Sequence, residues 1–217
     1  PIPGHGTDGT GGQAGRGAAC AGGRRRGRQG DVVINGQSCR PGSPAEAKAD
    51  SMRIALVPED RKVEGLFLDF AVAENIAIPS HRALARRGFV DAEAGAKLSE
   101  ESRKRLRIKA ANLDRAVAEL SGGNQQKVVL AKWLAMNPKL IILDEPTRGI
   151  DVGAKAEVYH LMQELAARGV ALLVISSDME EVIGISDRVI VMCRGRIGGT
   201  LEREDMTEEN ILRLAVE

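Results

Sequence analysis

The apolar residues of the chain are grouped in short runs that alternate with segments of helical spacing. Two runs, "KLIILD" before Glu145 and "VALLVISS" ending at Ser177, are almost continuously apolar, which is typical of parallel strands covered on both faces. Amphipathic helical segments accompany them: "NQQKVVLAKWLAMNP", which should stop at Asn137, and "AKAEVYHLMQELAARG", which should close at Gly169. This alternation predicts an α/β fold with a largely parallel sheet.

Shorter elements are predicted before this central part. "DVVINGQ" predicts a strand with a turn at Asn35-Gly36, and "MRIALVPED" predicts a second strand that ends at Pro58. Residues 81–119 are charged, rich in alanine and helical in spacing, with no strand signal.

The last part of the chain predicts a short helix, a hairpin and a final helix. "DMEEVIGI" should be a helix capped by Ser177 or Asp178. "DRVIVMCRG" and "RIGGTLE" should form a hairpin that turns at Arg194-Gly195. "MTEENILRLAV" should be a helix capped by Thr207.

Residues 1–30 differ from the rest of the chain. They are dominated by Gly, Arg and Ala, and their only large aliphatic residue is Ile2. Such a segment cannot bury enough apolar surface to offset the entropy lost on ordering, so we expect it to be disordered. The predicted domain division is therefore a Gly/Arg-rich segment, 1–30, and an incomplete domain, 31–217.

Composition narrows the possible functions. With 43% apolar and 2% aromatic residues, the core must be aliphatic, and the formal net charge of +1 argues against a nucleic-acid binder. No apolar run approaches the roughly 18–20 residues that span a bilayer. The spacing of Cys20, Cys39 and Cys193 supports neither a zinc site nor a disulfide framework.

The pair Asp144 and Glu145 follows the "LIIL" run directly. Ligands bind at the carboxyl ends of strands in open α/β sheets, and adjacent carboxylates there can divide two tasks. One can support Mg²⁺ while the other orients or deprotonates an attacking water. The alternative is a solvated acidic turn with no chemical role.

A second candidate is Ser121-Gly122-Gly123, just before a predicted helix. Glycines let the backbone approach a ligand closely, the helix N-terminus favours anions, and a serine hydroxyl can donate to a phosphate oxygen. The alternative is an ordinary serine cap with a flexible glycine pair.

The two motifs together resemble the ABC ATPases. "LSGGNQQ" (residues 120–126) resembles their signature loop, and "LIILDEPTRGID" resembles their Walker B strand followed by the D-loop, here "RGID" (residues 148–151). "VPEDRKVEGL", "NIAI", "SSDMEEV" and "SDRVIVMCRGRI" follow the order of the second nucleotide-binding half of bacterial ribose-, galactose- and xylose-type importers. The resemblance covers about residues 30–217. It implies a P-loop NTPase-like core with an inserted helical subdomain at about 66–119, here without its N-terminal P-loop part.

The resemblance implies a role for each matching residue. Asp144 would be the Walker B carboxylate that supports Mg²⁺, Glu145 the base acting on the hydrolytic water, and Asp151 the D-loop aspartate at a dimer interface. Glu59 stands where the family usually has the Q-loop glutamine, which contacts Mg²⁺ or water. Ser177 stands at the switch position, where a histidine is usual. Both departures resemble second halves of sugar importers, and both weaken hydrolysis at this half's own site.

The resemblance also implies that ATP and Mg²⁺ lie between two domains. Each ATP is held by the Walker A loop of one half and the signature loop of the other. Ser121, Gly122, Gly123 and Gln125 would therefore contact an ATP carried by a partner domain, normally the first half of the same polypeptide.

The chain's own phosphate cradle is missing from the sequence. A P-loop needs Gly-Lys-Ser/Thr, which occurs nowhere, and "AGRG" (residues 14–17) lacks the hydroxyl of the Gly-Arg-Thr variant. Three explanations remain open for residues 1–30: a shifted reading frame, a degenerate but native tail, or, through "RRRGR", a patch for nucleic acid or a membrane surface.

The expected function is an energy-coupling ATP-binding subunit of a monosaccharide importer at the cytoplasmic face of the bacterial inner membrane. Its expected partners are a first nucleotide-binding domain, a transmembrane permease that contacts residues 59–77 and the helical region, and, indirectly, a periplasmic sugar-binding protein. No nucleic-acid partner is expected. For lack of Walker A, the chain alone should not hydrolyse ATP. The alternative is a non-catalytic regulatory or assembly module.

Overall fold

The computed structural model describes residues 32–34, 37–39, 42–49, 52–86 and 88–216. The expectations for residues 1–30 and for the turn at Asn35-Gly36 lie outside the described residues. The strands are β1 Val32–Ile34, β2 Gln37–Cys39, β3 Ile54–Val57, β4 Ala85–Arg86, β5 Phe89–Val90, β6 Leu140–Asp144, β7 Ala171–Ile175, β8 Arg188–Cys193 and β9 Arg196–Glu202. The α-helices are α1 Pro44–Lys48, α2 Val72–Ala77, α3 His81–Leu84, α4 Ala92–Arg105, α5 Gly122–Leu134, α6 Val152–Ala167, α7 Met179–Ile185 and α8 Glu208–Val216. A π-helix spans Arg61–Gly65.

The central sheet is parallel and has the order β3-β6-β7. β6 lies in the middle, and Ile141, Ile142 and Leu143 are buried, as the apolar run predicts. β7 is different, because it lies at the edge of this sheet and Leu173 is 48% exposed. The prediction of a second strand buried on both faces is wrong, since one face of β7 is not covered by the described residues.

Helix α5 is buried on nearly all sides rather than along one stripe. Its buried residues include Lys127 and Lys132 as well as the aliphatic Val128–Ala131 stretch. Lys132 donates to the Gly65 carbonyl at 2.9 Å, and Lys127 donates to the Arg107 carbonyl at 3.2 Å and pairs with Glu157. The helix itself is confirmed, but the prediction that it is amphipathic is wrong, because its polar face is buried too. The buried lysine ammonium groups are hydrogen-bonded to the partners just named.

Between α2 and α5 the chain is mainly helical. Helix α2 packs against α4 and α5. The buried Asn75 ties down the preceding loop, because its side chain bonds both the N–H and the C=O of Phe67 at 2.9 Å. No strand was expected between residues 81 and 119, and this expectation is wrong, because β4 and β5 form a small antiparallel pair. Gly88, just before β5, has φ +88°. Glycine adopts this conformation without steric cost.

The C-terminal elements follow the sequence pattern. Asp178, rather than Ser177, caps α7, and its carboxylate accepts from the Glu181 N–H at 3.2 Å. β8 and β9 form the expected antiparallel hairpin, and Thr207 accepts from the Asn210 N–H at the start of α8. Gly169 has φ +83° after α6, as a helix-terminating glycine requires. Within the described residues, every helix is too short or too polar to cross a membrane.

The start of α5 leaves no room for a side chain at Gly123. A Cβ there would lie 2.5 Å from the Ala154 Cβ of α6. We predict that Gly123→Ala lowers the free energy of unfolding by about 1–3 kcal/mol, because overpacking forces the two helices apart. Urea titrations monitored by circular dichroism measure the free energy of unfolding of the variant and of the wild type.

Gly184→Ala is the matched control, because Gly184 also lies in a helix and has no atom within 4 Å of the added Cβ. This change should raise stability slightly, by about 0.4–1 kcal/mol, through helix propensity. Equal effects of the two substitutions would contradict the close packing at Gly123.

Candidate functional site

The carboxyl end of β6 brings Asp144, Glu145 and Ser177 to one place. Glu145 has φ +46°, an uncommon conformation for a non-glycine residue, and its N–H donates to the Ile175 carbonyl at the end of β7, at 2.8 Å. This turn directs the Glu145 side chain towards the loop after β7, where its Oε1 accepts from the Ser177 N–H at 2.9 Å. The predicted base and the predicted switch position are therefore in contact.

Asp144 is buried and is electrostatically suited to a cation. It is 5% exposed. Burial raises the pKa of its carboxyl above the ordinary value, and the negative charges of Glu145 and Glu64 raise it further. Because a bound cation would offset both effects, the residues present fit Mg²⁺, which typically takes one or two carboxylates together with substrate phosphates. Among the described residues, no cluster of three or more acidic, His or Cys side chains forms a complete metal cage.

Glu59 forms a different contact from the one expected of a metal ligand. Its carboxylate is paired with Arg148 of the D-loop. An open cleft of about 530 Å³ lies here, lined by Glu59, Asp60, Arg61, Lys62 and Arg148. The structure therefore places Glu59 in an ion pair that joins the loop after β3 to the loop after β6.

The signature serine is exposed and is oriented by Asn124. The Asn124 amide donates to the Ser121 Oγ at 2.8 Å, and its oxygen accepts from the Lys109 N–H at 2.7 Å. Gly122 and Gly123 form the first turn of α5. A Cβ on Gly122 would lie 2.8 Å from the Arg61 Nη2 and 3.2 Å from the Gly149 carbonyl oxygen. The glycines thus allow a close approach within the chain itself, in addition to any approach to a ligand.

Gln125 does not face outwards. It is 4% exposed, and its side chain donates to the Val117 carbonyl at 3.3 Å. The first turn of α5 directs this side chain into the protein, whereas Ser121 is exposed. A contact between Gln125 and a partner's ATP stays a prediction, and the buried side chain does not support it.

Asp151 has a structural role in this chain. It caps α6, and its carboxylate accepts from the Ala154 N–H at 2.9 Å. One turn further on, Lys155 pairs with Asp178 at 2.8 Å and lowers the pKa of that carboxyl. The helix after the D-loop is thereby joined to the loop that carries Ser177.

Three residues of this site, Arg61, Asn124 and Lys155, were not predicted from the sequence. Arg61 lies within the quoted stretch "VPEDRKVEGL", yet nothing in that stretch indicates that its guanidinium reaches residues 148 and 149. Those contacts join residues 87 and 88 positions apart and depend on the fold.

Comparison with known proteins decides the family. Residues 19–148 match the family described as ABC transporter. The chain belongs to this family. The match includes the end of the Gly/Arg-rich segment as well as β6 and the carboxylate pair.

Within the ABC family, the chain is similar to ribose import proteins. It is 48% identical over 189 residues to the ribose import ATP-binding protein RbsA of Lactococcus lactis subsp. cremoris, and this covers 87% of the chain and 38% of the relative. It is 49% identical over 186 residues to RbsA 1 of Streptomyces coelicolor, covering 86% and 36%. The chain thus spans well under half the length of these relatives, and the predicted half-length resemblance to a sugar-importer ATPase is confirmed.

Solved structures confirm the ABC ATPase fold. The dimeric post-hydrolysis state of the ATP-binding cassette MJ0796 bound to ADP and Pi matches with a TM-score of 0.66 and 23% identity, over 81% of the chain and 74% of that structure. The ATP-binding cassette MJ1267 matches with a TM-score of 0.68 and 22% identity, over 87% and 78%. That the P-loop part is missing stays a prediction.

The raised pKa of Asp144 predicts a pH-dependent stability. The folded chain binds the Asp144 proton more tightly than the unfolded chain, so protonation of Asp144 stabilises the fold. This contribution is fully present below the ordinary aspartate pKa of about 3.9, and it is lost as pH rises through the pKa of Asp144 in the folded chain. Asp144→Asn removes the charge. We predict that this variant unfolds at higher urea than the wild type at pH 8, and that the difference narrows as pH is lowered.

Asp69→Asn is the control, because Asp69 is exposed and should shift stability little at any pH. A variant at position 144 that is less stable than the wild type at pH 8 would show that the Asp144 carboxylate is stabilising, contrary to its buried, like-charged surroundings.

Proposed function

We propose that the chain is an ATP-binding, energy-coupling unit of a monosaccharide importer, and that its signature loop completes an ATP site carried by a partner domain. The observation that carries the proposal is the exposed Ser121 at the first turn of α5, oriented by Asn124 at 2.8 Å. The similarity to ribose import proteins over 87% of the chain supports the sugar-importer class.

The signature loop has the chemistry to bind phosphate. The Gln125 N–H is bonded to the Ser121 carbonyl at 2.8 Å, and the amides before it start the helix without intrahelical partners. These amides and the positive end of the helix dipole favour an anion. Because Oγ of Ser121 accepts from Asn124, its own hydrogen can donate to a phosphate oxygen.

The carboxylates at the end of β6 divide the remaining tasks. When bound, Mg²⁺ would neutralise phosphate charge, and Asp144 would hold it. Glu145 is oriented through Oε1 by the Ser177 N–H, which leaves its other oxygen to accept a proton from water. The Ser177 hydroxyl cannot become cationic as a histidine can. This difference should weaken hydrolysis at the domain's own site, and for lack of Walker A we expect the chain alone not to turn over ATP.

An exposed apolar surface fits the permease. Val63 of the π-helix is 78% exposed. Further along the chain, Phe67 and Phe70 are about half exposed and stacked with ring centroids 5.3 Å apart. Lys132 lies 5.2 Å from the Phe67 ring, and Asn75 fixes the loop. A rigid aromatic pair of this kind is typical of a protein-binding surface. In this proposal, the protein works at the cytoplasmic face of the inner membrane, and a periplasmic binding protein delivers the sugar.

The test is reconstitution with the portion of Lactococcus lactis RbsA that lies outside the match. We predict no ATPase activity from the chain alone with Mg²⁺ and ATP, and activity on mixing. Ser121→Arg should abolish the gain, because a long cationic side chain would occupy the phosphate position. The rate of phosphate release measures the ATPase activity, and analytical sedimentation measures the ATP-dependent association of the two parts.

Ala215→Arg is the matched control, since it adds the same charge at an exposed position of α8. Activity on mixing that survives Ser121→Arg would contradict the proposed role of the signature loop. Association without any phosphate release would instead favour a non-catalytic assembly module.

A further inference from the structure

The Arg61 side chain lies where the π-helix, the D-loop and the first turn of α5 meet. It starts in the π-helix after β3 and reaches the D-loop after β6. Its Nη1 donates to the Arg148 carbonyl at 2.8 Å, and its Nη2 donates to the Gly149 carbonyl at 3.2 Å. The Nε of Arg61 is buried, with no hydrogen-bond partner among the described residues. The half-buried guanidinium thus lies between the π-helix and the D-loop at the edge of the open cleft.

The same guanidinium lies against the signature helix. A Cβ on Gly122 would lie 2.8 Å from the Arg61 Nη2 and 3.2 Å from the Gly149 carbonyl. The first turn of α5, the D-loop and Arg61 are therefore in direct contact.

The other end of the connection is the exposed π-helix. Asp60 caps it and accepts from the N–H groups of Lys62 at 2.9 Å and Val63 at 3.1 Å. This cap makes a compact turn that carries Val63 on the outside and Arg61 on the inside. The turn thus spans from the exposed apolar surface to the D-loop.

Arginine is suited to this position and lysine is not. The two acceptors are successive carbonyls, and a planar guanidinium can donate to both at once, whereas an ammonium acts as a point charge. The ion pair between Glu59 and Arg148 joins the same loops, but the Arg148 side chain is 66% exposed. Exposed pairs contribute little, so the two hydrogen bonds of the half-buried Arg61 side chain provide most of the connection.

We propose that Arg61 is a positioning residue that couples the π-helix to the D-loop and the signature helix, so that movement of the surface around Val63 displaces Ser121 and Asp151. The meaning of this coupling for transport rests on the proposed function. The coupling itself is a property of the chain alone.

Hydrogen exchange measured by mass spectrometry on the 217-residue chain tests the coupling. The reporting amides are Arg148 and Ile150 in the loop after β6 and Gln125 at the start of α5, each of which is hydrogen-bonded. In Arg61→Met we expect about ten-fold faster exchange in both segments, because a charged donor to two carbonyls is lost. Arg61→Lys should show most of the same increase, since one ammonium cannot replace the fork.

Two further variants serve as controls. Lys62→Met changes the neighbouring exposed cation and should leave both segments unchanged. Glu59→Gln breaks the exposed ion pair but leaves the Arg61 bonds, and should change exchange by less than Arg61→Lys does.

The proposal is overturned if both Arg61 variants leave the two segments unchanged. It is also overturned if exchange rises equally throughout the chain, the β8–β9 hairpin included, because that would show a general loss of stability. The readout needs no nucleotide or partner. A failure of the reconstitution with RbsA would therefore leave this result intact, and the two failures are distinguishable.

Discussion

The site depends on the close approach between the first turn of α5 and the segment that follows β6. Only glycine fits at Gly123, where a Cβ would lie 2.5 Å from that of Ala154. Arg61 closes the same contact from the other side through the carbonyls of residues 148 and 149. This packing fixes Ser121 relative to the carboxylates of β6, so a motif that is usually considered for ligand contact also holds the domain together.

The second constraint is electrostatic. Burial and the neighbouring carboxylates of Glu145 and Glu64 raise the pKa of Asp144. Glu145, one residue later, is instead oriented by the Ser177 amide. Adjacent carboxylates therefore have different surroundings, and this difference allows one to support a cation and the other to act on water.

Much of this arrangement could be predicted from the sequence. The apolar run of β6 predicts its central position, and Gly169 and Thr207 predict helix ends, because these signals are local. The exposure of β7 could not be predicted, since an apolar run does not show whether neighbouring elements cover both faces. The burial of Gln125 and the reach of Arg61 depend on helix rotation and on contacts between distant residues, and neither leaves a pattern in the sequence.

The role proposed for Ser121 is tested by a structure of the chain assembled with the remaining portion of an RbsA relative, with ATP and Mg²⁺ bound. We predict that the Ser121 Oγ lies within about 3 Å of a phosphate oxygen of an ATP held by the partner, as a hydrogen bond requires. An assembled complex in which Ser121 faces solvent, away from any nucleotide, would contradict it.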